Sequence, residues 1–172
     1  LDADAPPAQV TAYDDRVMLI KPAPKGPALA YGLDAGGDER MQIRLLPGDG
    51  TPERALTADP AVIHGWGGFS PDGRLLSASV SEVSSEQFMR VWEIARIRAG
   101  DMKPLSEFRF GQSIPESFAF SPDGRHLYGS SYYTGVSNIF RYEVATGAVE
   151  AVSNAETGYF RPVPLADGRL IV

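Results

Sequence analysis

Phe69-Ser70-Pro71-Asp72-Gly73-Arg74 returns as Phe120-Ser121-Pro122-Asp123-Gly124-Arg125, and weaker copies stand on either side of the pair. Upstream is Pro24-Lys25-Gly26-Pro27-Ala28-Leu29; downstream is Ala166-Asp167-Gly168-Arg169-Leu170. The glycine thus recurs at Gly26, Gly73, Gly124 and Gly168, at intervals of 47, 51 and 44 residues. Proline pre-sets φ for the first central position of a type I turn, aspartate tolerates the second, and glycine takes the left-handed position from which the chain re-enters a strand. With Phe118 and Phe120 before the turn and Leu127 after it, the unit is a tight hairpin.

A hairpin repeated at this period, with short strands in each copy, is the mark of a β-propeller blade. The expected fold is all-β: a partial propeller of about three to four blades, each a four-stranded antiparallel sheet. Repeat turns fall near 24–27, 71–74, 122–125 and 166–169. In the clearest unit the strands are expected at Ser117 to Phe120, His126 to Ser131, Asn138 to Val144 and Ala148 to Val152, with Ala145-Thr146-Gly147 turning the last pair. The preceding unit offers Gly65 to Phe69, Leu75 to Val80, Phe88 to Ile97 and Leu105 to Phe110. Before it, Ala28 to Gly32, Met41 to Leu46 and Glu53 to Leu56 fill the same roles, and the last unit is incomplete.

Local propensity contradicts this reading in one place. Ser85 is a plausible helix cap, and Glu86, Gln87, Met89, Glu93, Ala95 and Arg96 are helix formers. Strand is nevertheless expected, because Arg90 to Ile94 aligns with Phe140 to Val144, placing Trp92 where the next repeat has Tyr142, and sheet context overrides propensity.

A chain of 172 residues that is 43% hydrophobic can bury a core. A net charge of −6 with no Lys/Arg run argues against nucleic acid and favours a neutral or cationic partner. There is no cysteine, hence no disulfide framework and no thiolate metal site. No stretch of eighteen apolar residues predicts membrane insertion. Residues 1–12 are expected to be a tail or linker and residues 13–172 the propeller, cut short at Arg169-Leu170-Ile171-Val172 as a piece of a longer chain would be.

Phe120 to Leu127, followed by Asn138-Ile139-Phe140-Arg141-Tyr142 and Ala145-Thr146-Gly147, resembles the WD40-like repeat of TolB-type periplasmic propellers. The same repeat type is found in the tricorn protease and in the propeller covering the active site of prolyl-oligopeptidase-like serine peptidases. The resemblance departs at Lys25, where aspartate is expected, and at Leu165-Ala166, where Ser-Pro belongs. It implies a closed six- or seven-bladed ring with partner contacts at the channel mouth, a bacterial, periplasmic location, and a non-enzymatic role as a protein-interaction scaffold in Tol-type transport. The alternative is an accessory propeller of a serine peptidase whose catalytic domain lies outside this chain.

Loops from each outer strand to the next inner strand, and loops from second to third strands, share one face, the default place for function. His64, Trp66, Glu116, Tyr132, Tyr133, Tyr159 and Arg161 are the candidate residues there, with Ser113 and Pro115 beside them; rings and charges of this kind grip a peptide or polar ligand. The same residues also have a structural reading, in which Trp66 and Tyr159 pack between blades and Glu116 pairs with Arg161. No catalytic residue is assigned: Gly-x-Ser-x-Gly is absent, Gly111-Gln112-Ser113-Ile114-Pro115 lacks its second glycine, and His126 reads as a solvated side chain. No cofactor or metal is expected; the acidic loop Asp34 to Glu39 could hold calcium but is more simply a solvated hairpin. A half ring leaves strand edges open, and self-association through them is expected.

Overall fold

The computed structural model describes residues 6–172 apart from 8, 82–85, 112 and 114, and describes only the backbone of 115 and 116. Three four-stranded antiparallel sheets follow one another along the chain, each in simple sequential order, and a two-stranded sheet comes after them. The first holds β1 (Val17–Pro22), β2 (Leu29–Leu33), β3 (Gln42–Leu46) and β4 (Arg54–Ala55). The second holds β5 (Ile63–Phe69), β6 (Leu75–Ser81), β7 (Gln87–Glu93) and β8 (Ser106–Gly111), with a short helix α1 (Ile94–Arg98) between its last two strands. The third holds β9 (Pro115–Phe120), β10 (His126–Ser131), β11 (Asn138–Glu143) and β12 (Val149–Ala151); β13 (Val163–Pro164) and β14 (Leu170–Ile171) form the last. This is a partial β-propeller.

The repeated turn is held by its own side chains. Ser70 Oγ donates to Asp72 Oδ1 at 2.6 Å and accepts the Leu75 amide at 2.9 Å, while Asp72 Oδ1 accepts the Arg74 amide at 3.0 Å. Ser121 and Asp123 make the same bonds at 2.6, 3.0 and 3.0 Å. In the last copy Asp167 still accepts the Arg169 amide at 3.1 Å, but Leu165 stands where the serine would be and brings no hydroxyl. The first copy closes by backbone alone, Ala23 N–H donating to Ala28 C=O at 2.8 Å.

Alternation of side chains puts one face of each sheet against its predecessor. Ala28, Ala30, Ile43 and Leu45 of the first blade meet Leu76, Ala78 and Trp92 of the second. Met89, Val91, Phe108 and Phe110, from the opposite face of the second blade, meet Leu127, Phe140 and Tyr142 of the third. Trp92 pairs with Leu76 and Tyr142 with Leu127, so the two rings occupy equivalent positions, as the aligned repeats predict.

Two expectations are corrected. The strand expected to run to Ile97 stops at Glu93, and the helix formers after it make a five-residue helix, Ile94–Arg98, whose Ile94 and Ile97 both enter the core between the first two blades. Arg98 then pairs with Asp49 of the first blade at 3.0 Å, tying the helix to its neighbour. The proposed cap at Ser85 lies outside the described residues. In the first blade the sequence reading missed the inner strand, β1, whose residues pair with β2 from Val17 to Pro22. Tyr13, just before it, donates to Glu53 at 2.5 Å and lies 3.1 Å from the buried Tyr31 hydroxyl, covering part of the free face of that blade.

Candidate functional site

Blade three and the segment after it carry the candidate face. Asn138, almost fully buried at the start of β11, donates to Thr134 Oγ1 at 2.8 Å; its Oδ1 accepts Ser153 Oγ at 2.9 Å and the Ala155 amide at 2.8 Å. One amide thereby fastens the β10–β11 loop to the chain leaving β12. Ser137 adds a second tie: its carbonyl accepts the Tyr159 amide at 2.7 Å and its hydroxyl donates to the Tyr159 carbonyl at 2.8 Å. These bonds hold the two loops side by side before any partner arrives, which lowers the ordering cost of binding.

Rings stand on this frame. Tyr132, 46% exposed, meets Phe160 edge to face at 6.2 Å, and Tyr133, 73% exposed, stands edge-on over Phe140 at 6.3 Å. Tyr159 is 43% exposed, and the exposed Arg161 follows it in a left-handed conformation with φ of 52°. Tyr132 and Phe160 together make an exposed aromatic ledge, and Tyr159 and Arg161 flank Phe160 along the chain. Aromatic rings and arginine are the side chains that dominate protein recognition, because they bury large area at low entropic cost and keep a polar tip. The sequence reading named Tyr132, Tyr133, Tyr159 and Arg161 as candidates and did not name Phe160, Ser137 or Asn138, which the structure places beside them; the dense run of small polar residues from 129 to 138 was the available signal.

His64 and Trp66 are elsewhere. Both lie within β5 rather than in a loop, paired with Val80 and Ala78. His64 is 3% exposed; its amide donates to Met41 C=O of the first blade at 3.2 Å, and its Nδ1 has no partner among the described residues. Burial, reinforced by the Arg90 charge, pushes its pKa down to about 4, so the imidazole is neutral at pH 7. Trp66 packs against the core between blades one and two and meets Phe69 edge to face at 5.2 Å. Glu116 pairs through its backbone with Ser130 in β9–β10, whereas its side chain, and so the expected ion pair with Arg161, lies outside the described residues. Ser113 is tied to the end of β8 through its amide, 3.0 Å from Phe110 C=O.

In the acidic loop, Asp38 Oδ1 accepts the Ala35 and Arg40 amides at 3.3 and 2.9 Å, so that carboxylate serves the loop itself. Among the described residues no three His, Cys, Asp or Glu side chains gather as metal ligands, and no helix is long and apolar enough to cross a membrane.

No family model matches the chain. The uncharacterized protein Atu1656 of Agrobacterium fabrum is 31% identical over 136 residues, covering 77% of this chain and 42% of that protein. A solved structure from Agrobacterium tumefaciens, assigned as a TolB, superposes with a TM-score of 0.62 at 26% identity, covering 86% of this chain and 50% of the other. A puromycin hydrolase, solved as its S511A mutant with PGG bound, gives 0.65 at 19% identity over 91% of this chain and 27% of the enzyme, a likeness of fold alone. The chain therefore spans half or less of the length of the proteins it matches. Repeat turn, blade order and superposition agree: this chain is a partial β-propeller, similar in fold to TolB.

Proposed function

We infer that the chain is the propeller segment of a periplasmic, Tol-type envelope protein, and that it acts as a non-enzymatic scaffold holding a protein or peptide partner. The ledge of Tyr132 and Phe160, with Tyr159 and Arg161 flanking Phe160, carries this reading, since its rings are exposed while its backbone is fixed by Ser137 and Asn138. The acidic net charge supports a neutral or cationic partner over nucleic acid. The test is recovery of partners from bacterial envelope extract by the chain and by its Tyr132→Ala/Arg161→Ala double variant. Loss of a partner from the variant is expected; identical recovery rejects the ledge.

The likeness to the puromycin hydrolase favours a second reading, an accessory propeller of a serine peptidase. A downstream α/β-hydrolase region bearing Gly-x-Ser-x-Gly in the parent gene would establish it. In either reading the faces of the end blades need a cover: Met18, Ile20, Val163 and Ile171 are exposed. Self-association of the 172-residue chain is the expected consequence, and a monomeric mass by light scattering at micromolar concentration would reject it.

A further inference from the structure

Away from the ledge, a cleft of about 330 Å³ opens between blades two and three along the outer edge of blade three. Its walls include Phe110 on one side and Tyr133, Phe140 and Tyr142 on the other, with Val149 and Ala151 at the rim. The volume suits one aromatic side chain, and aromatic walls suit its faces and edges. Arg109, Ser131 and Glu150 complete the lining, but Arg109 is paired with Glu107 at 3.6 Å and Glu150 with Arg141, so the charges at the cleft are already neutralised, and the Tyr142 hydroxyl is buried with no partner among the described residues.

The rim is the edge strand of its sheet. Within β11–β12 the bonded residues are set by Glu143 N–H to Ala148 C=O and Val152 N–H to Ile139 C=O, at 2.8 Å each. In an antiparallel pair bonded and non-bonded positions alternate, which turns the N–H and C=O of Val149 and Ala151 away from β11 and out of the sheet. The same two residues send their side chains to the cleft, and Val149 is 53% exposed. Glu150, between them, lies opposite Arg141 and is ion-paired with it on the other face. Backbone groups and cleft are thus in register: a strand laid beside β12 would bond to Val149 and Ala151, and its residues opposite those two would point into the cleft.

We propose that the outer edge of blade three takes an extended, uncharged peptide by strand addition, with an aromatic side chain of that peptide seated in the cleft between Phe110 and Phe140. Backbone bonds supply affinity without sequence preference, and the cleft selects the ring. This site shares Tyr133 with the candidate face but involves none of Tyr132, Tyr159, Phe160 and Arg161, on which the proposed function rests.

The probe is acetyl-Thr-Phe-Thr-Phe-Thr-amide, titrated into the ¹⁵N-labelled 172-residue chain. Saturation is expected to slow hydrogen exchange of the Val149 and Ala151 amides at least tenfold. Replacing both phenylalanines by alanine should weaken binding at least tenfold, and N-methylation of both phenylalanine amides should do the same while leaving the rings unchanged. Ala151→Trp, which fills the cleft from its rim, should abolish binding with the spectrum of the rest of the chain retained. Absence of binding, unchanged exchange at Val149 and Ala151, equal affinity of the N-methylated peptide, or perturbations confined to Tyr132 and Tyr159 would each overturn the proposal; the last would leave the ledge standing.

Discussion

Blades two and three share the same six-residue turn after their inner strands and pair their second and third strands in the same register, yet their upper ends differ completely. In blade two the large polar-tipped residues, His64 and Trp66, are drawn into the inner strand and packed toward blade one. In blade three they stand outside, on loops fixed from beneath by Ser137 and Asn138. The lower turn therefore builds the blade, and the upper loops are where the copies diverge. Loops over a rigid frame are where a repeat can acquire a binding role without disturbing its stacking.

Equivalent positions give the sharpest tests. Trp92 and Tyr142 fill the same place, but the indole N–H of Trp92 donates to Met102 C=O at 3.1 Å while the Tyr142 hydroxyl has no partner among the described residues. Trp92→Ala should cost about 3–5 kcal/mol in denaturant unfolding. Tyr142→Phe, by contrast, removes a buried unsatisfied group and should leave stability unchanged or raise it by up to about 1 kcal/mol. A large loss from Tyr142→Phe would show that the hydroxyl is bonded and the two sites are alike.

His64 makes blade two, not blade three, sensitive to mild acid. Burial holds its pKa at about 4 in the folded chain against the ordinary 6.5 of a free imidazole, so the unfolded state binds the additional proton between these limits. The stability due to neutral burial is complete above pH 6.5 and is lost as pH falls toward 4, a change of roughly 3 kcal/mol at most. Denaturation midpoints measured between pH 7 and 4 should fall for the natural chain and fall less for His64→Gln. Parallel curves would place the imidazole in water.

The two turn glycines differ more subtly. Both are left-handed, with φ of 72° at Gly73 and 71° at Gly124. A Cβ at Gly73 would come within 2.6 Å of the Lys25 carbonyl oxygen in the neighbouring turn, whereas at Gly124 it would meet Ser70 Cβ at an ordinary 3.6 Å. Gly124→Ala should cost about 1 kcal/mol for the backbone conformation alone, and Gly73→Ala roughly 2 kcal/mol more for the clash. Equal losses would mean that adjacent turns do not stack.

What the sequence disclosed follows from these differences. The Pro-Asp-Gly turn and the alternation of Leu127, Phe140 and Tyr142 are local signals, and they were enough to place the second and third blades. β1 was missed because Val17-Met-Leu-Ile-Lys-Pro precedes a degenerate turn with Lys25 in place of aspartate. α1 was missed because its five residues followed a strand that the repeat alignment had extended too far. In the candidate site, exposed tyrosines were legible as residue types, but the burial of His64 depends on Met41 and Val80, distant in sequence, and the bond from Ala155 to Asn138 joins segments 17 residues apart.

Cross-strand Hα–Hα contacts measured by nuclear Overhauser spectroscopy test the shared blade geometry most directly. Strong contacts are predicted between Ser77 and Val91 in blade two and between Tyr128 and Arg141 in blade three, the non-bonded pairs of corresponding ladders. Uninterrupted sequential amide contacts over residues 86–98 or 138–150, the signature of helix, would contradict it.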